Sequence, residues 1–162
     1  NTSAPVAVAL RSARSLGIDA TFVCLNWSSN ALLMRLVGED AEGLVGAIPY
    51  APLTADVPGV QPLREYLESR GESYVDRTNA YTQGWYTFSI FTEGLRRVID
   101  AGQDLTGPNI KAALETIRDF DMGGVTMPIT FTTTDHRGSK GLRLFRVENG
   151  AWTPLTDFLT AP

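Results

Sequence analysis

Apolar positions change their spacing several times along the chain, and each change marks an element. Between residues 5 and 16, Val6, Leu10 and Ala13 recur at helical spacing. Ser3 offers a cap, Pro5 suits a first turn and Gly17 a stop, so a helix is predicted there. Residues 20–25 are a short, partly β-branched apolar run with no polar face for water. That predicts a strand covered on both faces, hence a parallel sheet. The polar turn at residues 26–30 supplies capping groups for a second helix over 31–37, stopped by Gly38. A second strand is expected over 43–48.

Residues 49–59 hold Pro49, Pro52, Pro58 and Gly59 and read as a loop. A helix over 60–70 follows, with Leu63 and Leu67 four apart and Gly71 closing it. The strongest periodicity lies between residues 79 and 101, where Tyr81, Trp85, Phe88, Leu95 and Ile99 share one stripe and predict a helix of about 34 Å with that stripe inward. Thr106, Gly107 and Pro108 open a further helix to about residue 119, with Ile110, Ala113, Leu114 and Ile117 inward. After Gly123 and Gly124 the pattern alternates, but Pro128 reduces 125–131 to an edge strand or irregular extended segment. Residues 142–147 alternate as well, and Asn149-Gly150 is a hairpin turn into a last strand. Strands alternating with helices, then helices, then a small β finish make an α/β protein whose last part leaves the parallel order.

Composition narrows the function. The 162 residues are 43% hydrophobic and 20% charged, an ordinary globular balance. With 14 Lys+Arg against 18 Asp+Glu the net charge is -4, and no basic stripe exists to meet a phosphate backbone, so nucleic acid is not an expected partner. The single cysteine, Cys24, excludes an internal disulfide, and no apolar run reaches the about 18 residues of a membrane helix. The chain starts at Asn1 rather than Met, which suggests a removed leader or N-terminal portion.

Catalytic constellations are poorly served. The only histidine, His136, lies in a polar turn; one Cys and one His cannot make a zinc site; and Gly123-Gly124 follows a helix and precedes a strand, the wrong order for a phosphate-binding loop. Asp119 and Asp121 read as a solvated helix boundary before they read as an acid/base pair. No cofactor or metal is expected. Binding is better supported, because Asn26, Trp27 and Ser28 stand just past the C-terminal end of a predicted parallel strand and at a helix start, where open α/β sheets place ligands. Asn26 can donate and accept, and the Ser28 and Ser29 amides suit an anion. A helix cap with a structural tryptophan explains the same residues. Tyr81 and Gln83 open the long helix beside Gly84; they read either as cleft-facing groups or as one core and one solvated residue.

The order of short motifs carries a resemblance. Residues 6–17 lead to Phe22-Val23-Cys24-Leu25-Asn26-Trp27, then Gly38-Glu39-Asp40-Ala41-Glu42-Gly43-Leu44-Val45-Gly46, a Pro-rich loop, Ala80-Tyr81-Thr82-Gln83-Gly84-Trp85-Tyr86, Phe120-Asp121-Met122-Gly123-Gly124-Val125, and Val147-Glu148-Asn149-Gly150-Ala151-Trp152. Together they resemble the C-terminal half of an ABC-transporter substrate-binding protein of the leucine/isoleucine/valine-binding type, a type I periplasmic binding protein.

That resemblance implies a partial Venus-flytrap fold, with parallel sheets flanked by helices. Residues 1–75 would belong to the C-terminal lobe, 76–138 to the N-terminal lobe, and 139–162 to a hinge crossing and terminal strands. It implies a periplasmic or membrane-tethered protein that hands a small molecule to an ABC permease, without catalysis, through Asn26, Trp27, Ser28, Tyr81 and Gln83. A ligand-sensing regulatory module of the same fold is the alternative. Asn26 stands where amino-acid-binding members carry an acidic group for the ligand ammonium, and Gln83 where branched-chain binders carry an aromatic. A neutral amide does not balance a buried cation, so a carboxylate or aromatic acid without an obligatory ammonium is expected, with a branched-chain amino acid as the alternative. A half-fold would leave sheet edges bare, inviting a swapped or intertwined homodimer.

Overall fold

The computed structural model describes residues 2–75 and 77–160; Asp76, at the expected boundary between lobes, and the terminal Ala161 and Pro162 lie outside the described residues. Helix α1 (Ser3–Ser15) precedes the two-residue strand β1 (Val23–Cys24), helix α2 (Ala31–Val37) and strand β2 (Val45–Ile48). Helices α3 (Gln61–Ser69), α4 (Ala80–Asp100) and α5 (Gly107–Leu114) follow, then β3 (Gly141–Glu148), β4 (Ala151–Pro154) and β5 (Leu159–Thr160). The sheet runs β1-β2-β3-β4, with β5 on the far end of β3. Among the described residues only β1 and β2 pair in parallel; β3 is antiparallel to β2, β4 and β5.

Two apolar clusters divide the interior. One gathers Leu10, Cys24, Leu33, Leu44 and Val147 under α1 and α2; the other gathers Ile48, Val60, Leu63, Ile90, Ile117, Val125 and Phe145 under α3, α4 and α5. Strands β2 and β3 pass from one to the other, and Trp152 packs against both. Leu44 lies in the first cluster and Ile48 and Tyr50 in the second, and Phe145 and Val147 divide the same way, so the chain moves between the two cores along β2 and β3 themselves.

The sequence-based boundaries hold closely for α2, α3, α4 and the hairpin, whose turn is built from Asn149 and Gly150 at φ 53 and 74. Four expectations need correction. Helix α1 is preceded by Thr2 as its cap residue; Ser3 lies inside the helix, and its hydroxyl donates to Asn30 Oδ1 at 3.1 Å. The run 20–25 is not covered on both faces, because β1 is a sheet edge and Val23 and Leu25 are 64% and 63% exposed. On α4 the inward residues are Thr82, Ile90, Gly94 and Val98, while Phe88, Ile99 and Tyr81 face outward. The inward stripe is built of small or β-branched residues because α5 packs closely there: a Cβ on Gly94 would come within 2.7 Å of Leu114. Helix α5 stops at Leu114, where Thr116 turns its hydroxyl back onto the Ala113 carbonyl and Arg118 bonds the Glu115 carbonyl. Residues 125–131 are irregular, tied by one bridge between Phe120 and Ile129, as Pro128 predicts.

Candidate functional site

Because β1 and β2 are parallel neighbours in the register Val23 to Val45, residues just past their ends emerge on the same side of the sheet. Asn26 follows β1 and Tyr50 follows β2. Helix α4 brings its first turn to the same place, held by Asn79, whose Nδ2 donates to the Ser29 carbonyl at 2.5 Å. Gln83 then lies beside Tyr50, and the Tyr50 hydroxyl donates to Gln83 Oε1 at 3.2 Å. The Asn26 side chain stands near the same phenol, where it favours the ionised form. Asn26 and Gln83, named from sequence, thus lie beside the same third residue, and Gln83 is bonded to it.

Tyr50 is only 4% exposed, and its ring stands 5.5 Å from that of Tyr86 at 41°. Burial pushes its phenol above the ordinary value, the Tyr86 phenol adds to the rise, and Asn26 opposes it. Sequence reasoning missed Tyr50 because it sits among Pro49 and Pro52 in a stretch read only as loop. A polar aromatic immediately after the second strand of a parallel pair was the available signal.

The other named residues fall out differently. Trp27 is 63% exposed at the rim of the turn. Ser28 is 1% exposed and its hydroxyl donates to the Leu25 carbonyl at 3.1 Å. The Ser28 and Ser29 amides, expected to face an anion, both bond the Leu25 carbonyl instead, at 3.0 and 3.1 Å. The cap of α2 is Asn30, whose Oδ1 accepts from the Leu32 and Leu33 amides. Tyr81 is outward and engaged by Arg77, which donates to its hydroxyl at 2.9 Å and stands 4.8 Å over its ring. Gly84 has open space where a Cβ would stand, so nothing within the described chain approaches it closely.

Asp119, Asp121 and His136 each serve a local partner: Asp119 accepts from Thr130 Oγ1, Asp121 from the Gly123 amide, and His136 pairs with Glu115 at 2.7 Å. Burial raises the Cys24 thiol, with Ser29 and Ser28 opposing, which keeps it protonated. Among the described residues no group of three His, Cys, Asp or Glu could hold a metal ion, and no helix is long and apolar enough to cross a membrane.

The turn after β1, the buried Tyr50 after β2 and the first turn of α4 meet at the C-terminal ends of the parallel pair, the place where open α/β sheets hold ligands. The profile of the periplasmic binding protein family matches residues 1–151, and the chain belongs to that family. Among solved structures it is similar to a branched-chain amino acid ABC transporter protein from Thermus thermophilus with bound valine (25% identity, TM-score 0.89, 99% of this chain and 44% of that one). It is similar also to a substrate-binding periplasmic protein from Ralstonia solanacearum (25% identity, TM-score 0.79, 95% and 43%). A fatty acid ABC transporter substrate-binding protein from Thermomonospora curvata shares the fold (21% identity, TM-score 0.82, 99% and 42%). The chain therefore spans less than half the length of each of these relatives. No curated protein matches it.

Proposed function

We propose that this chain is part of the extracytoplasmic solute-binding component of an ABC importer, and that Asn26 and Gln83 face a small organic acid or amino-acid-like ligand between two lobes. The single observation carrying this reading is the bond from the Tyr50 hydroxyl to Gln83 Oε1, which joins the residue after β2 to the start of α4 at the end of the sheet, with Asn26 beside the same phenol. Family membership and the valine-bound relative support it. By resemblance residues 1–75 belong to the C-terminal lobe, 76–138 to the N-terminal lobe and 139–162 to a hinge crossing and terminal strands. The two apolar clusters, one built on α1 and α2 and the other on α3, α4 and the residues after α5, support a chain shared between lobes.

Contacts from both lobes favour the closed form by as much as the ligand binds it better than the open one. Closure presents the loaded protein to a membrane permease, and no bond is made or broken. The ligand lacks an obligatory ammonium, because neutral Asn26 and Gln83 do not balance a buried cation. Export places the protein in the periplasm or tethered outside the membrane. The bare β1 edge, with exposed Val23 and Leu25, supports a swapped or intertwined pair of copies; a cooperative, well-folded monomer by light scattering counts against the pairing.

Calorimetry against amino acids, aromatic acids and aliphatic acids tests the main reading. An acid without an ammonium should bind, and Asn26→Ala and Gln83→Ala should each weaken it about tenfold, the worth of one lost hydrogen bond in a partly enclosed site. Binding unchanged in both variants overturns the assignment.

A further inference from the structure

The bond from Asn79 Nδ2 to the Ser29 carbonyl runs from one apolar core to the other, and each end is held by its own side. Ser29 is tied to the first core: its hydroxyl lies 3.1 Å from the sulfur of Cys24, a member of that cluster. It also sits so closely over β2 that a Cβ on Gly46 would stand 2.6 Å from Ser29 Oγ. Asn79 opens α4, whose Ile90 lies in the second core. The helices pack within each core, α1 on α2 and α4 on α5, while β2 and β3 carry the chain between the cores.

Asn79 occupies the cap position of α4, where an asparagine side chain ordinarily accepts from the first amides of its own helix. It makes no such bond and reaches Ser29 instead. The acceptor is a backbone carbonyl, so the amide nitrogen is the donor. Asn79 is 7% exposed and Ser29 is fully buried, which keeps competing water from both groups while the cores stay together. Rotating the cores apart wets both ends and exchanges the bond for bonds to water.

We propose that Asn79 is a positioning residue of the cleft, and that its bond to Ser29 is a latch between the lobes, made when they are together and broken when they part. The latch sets how far the hinge favours closure. This rests on the reading of the two cores as lobes that close on a ligand. Gln83 stands one helical turn beyond the latch, its amide donating to the Asn79 carbonyl at 2.9 Å, and Ser29 lies in the same turn as Asn26. The latch therefore fixes the spacing of the two jaws through the backbone that carries them.

Spin labels at Arg11→Cys on α1 and Thr92→Cys on α4, two exposed positions, report the distance between the cores in the 162-residue chain; the native Cys24 is buried. With Asn79 in place one narrow distance distribution is expected. Asn79→Asp keeps the shape but at about pH 8 turns an acceptor to the Ser29 carbonyl, and it should shift the balance toward separated lobes about tenfold, as Asn79→Ala should. At about pH 5 burial beside that carbonyl keeps the new carboxyl protonated and a donor again, so Asn79→Asp should regain the narrow distribution while Asn79→Ala does not. A residue serving stability alone would lower the urea midpoint in both variants and leave the distances as they were.

Unchanged distances in both variants, with the fold retained by circular dichroism, overturn the latch and leave the receptor reading standing. Failure of Asn79→Asp to recover at about pH 5 overturns the hydrogen bond as the cause. Loss of the folded state in both variants overturns the latch too, because the bond then holds the cores rather than the hinge. The receptor reading has its own arm: valine or isovalerate, whichever binds by calorimetry, should narrow the distribution of Asn79→Ala and bind it about tenfold more weakly than the parent. Opened variants whose distances neither probe alters keep the latch and remove the ligand cleft.

Discussion

Asn79 donates its side-chain amide to the carbonyl of Ser29 across fifty positions of sequence, and both residues are buried. The bond pins the first turn of α4 to the turn before α2, which is what brings Gln83 within reach of Tyr50. Asn79→Ala leaves a buried carbonyl without its donor and is expected to cost about 1–3 kcal/mol, read as a lower urea midpoint at unchanged slope. An unaltered midpoint would mean that α4 is held in place by packing alone.

Glycines at two positions should respond in opposite directions. A Cβ on Gly59 would stand 1.9 Å from the Met122 carbonyl oxygen, a backbone atom that cannot swing aside, so Gly59→Ala should lower the melting temperature sharply. Gly84 has open space around it inside α4, and Gly84→Ala should stabilise by about 0.5–1 kcal/mol through helix propensity. Thermal unfolding of the two variants side by side checks both.

The outward and inward faces of α4 differ in the same measurable way. Ile90→Ala removes a side chain from the larger core and should cost about 2–5 kcal/mol, whereas Ile99→Ala, on the exposed stripe, should stay within about 0.5 kcal/mol. Equal losses would show that something in solution covers the outer face.

Much of this architecture is legible from pattern. The span of α4 follows from its apolar periodicity and Gly102, and the span of α2 from the polar turn before it and Gly38. Its inner face does not, because Thr82 and Gly94 carry no hydrophobic signal while the showier aromatics Phe88 and Phe91 lie outside. Likewise Asn26 and Gln83 are found by their place relative to a strand end and a helix start. Their meeting depends on Tyr50, in a Pro-rich stretch where local pattern says only that regular structure stops. Ser28 misleads because its amide and hydroxyl both close the turn onto Leu25, a choice of partner that composition does not encode.

Acid should weaken the fold through its paired carboxylates. Arg137, then Lys140, hold Asp135 far below the usual carboxylate range; Arg96 and Arg97 lower Glu93 against its partial burial; Lys111 and His136 lower Glu115. Each binds fewer protons folded than unfolded below about pH 4, so their stabilisation is present above the ordinary carboxylate values and is lost as pH falls from there through the lowered folded values. Melting temperature followed downward from about pH 6 should fall most steeply below about pH 4, with a shallower slope in Asp135→Asn.

Alkali acts through the phenols. Burial raises both Tyr50 and Tyr86, so the unfolded chain ionises first and stability is lost as pH rises past about 10. Tyr50→Phe should flatten that loss, and phenolate absorbance of the folded chain should show late-titrating tyrosines.

The shared ligand shelf is tested most directly by titrating a small carboxylate such as 2-hydroxyisocaproate into isotopically labelled protein and mapping which resonances move. Asn26, Tyr50 and Gln83 should shift together and saturate at one concentration. Shifts confined to another surface, such as the pocket of Lys111, Phe131 and His136, would contradict it.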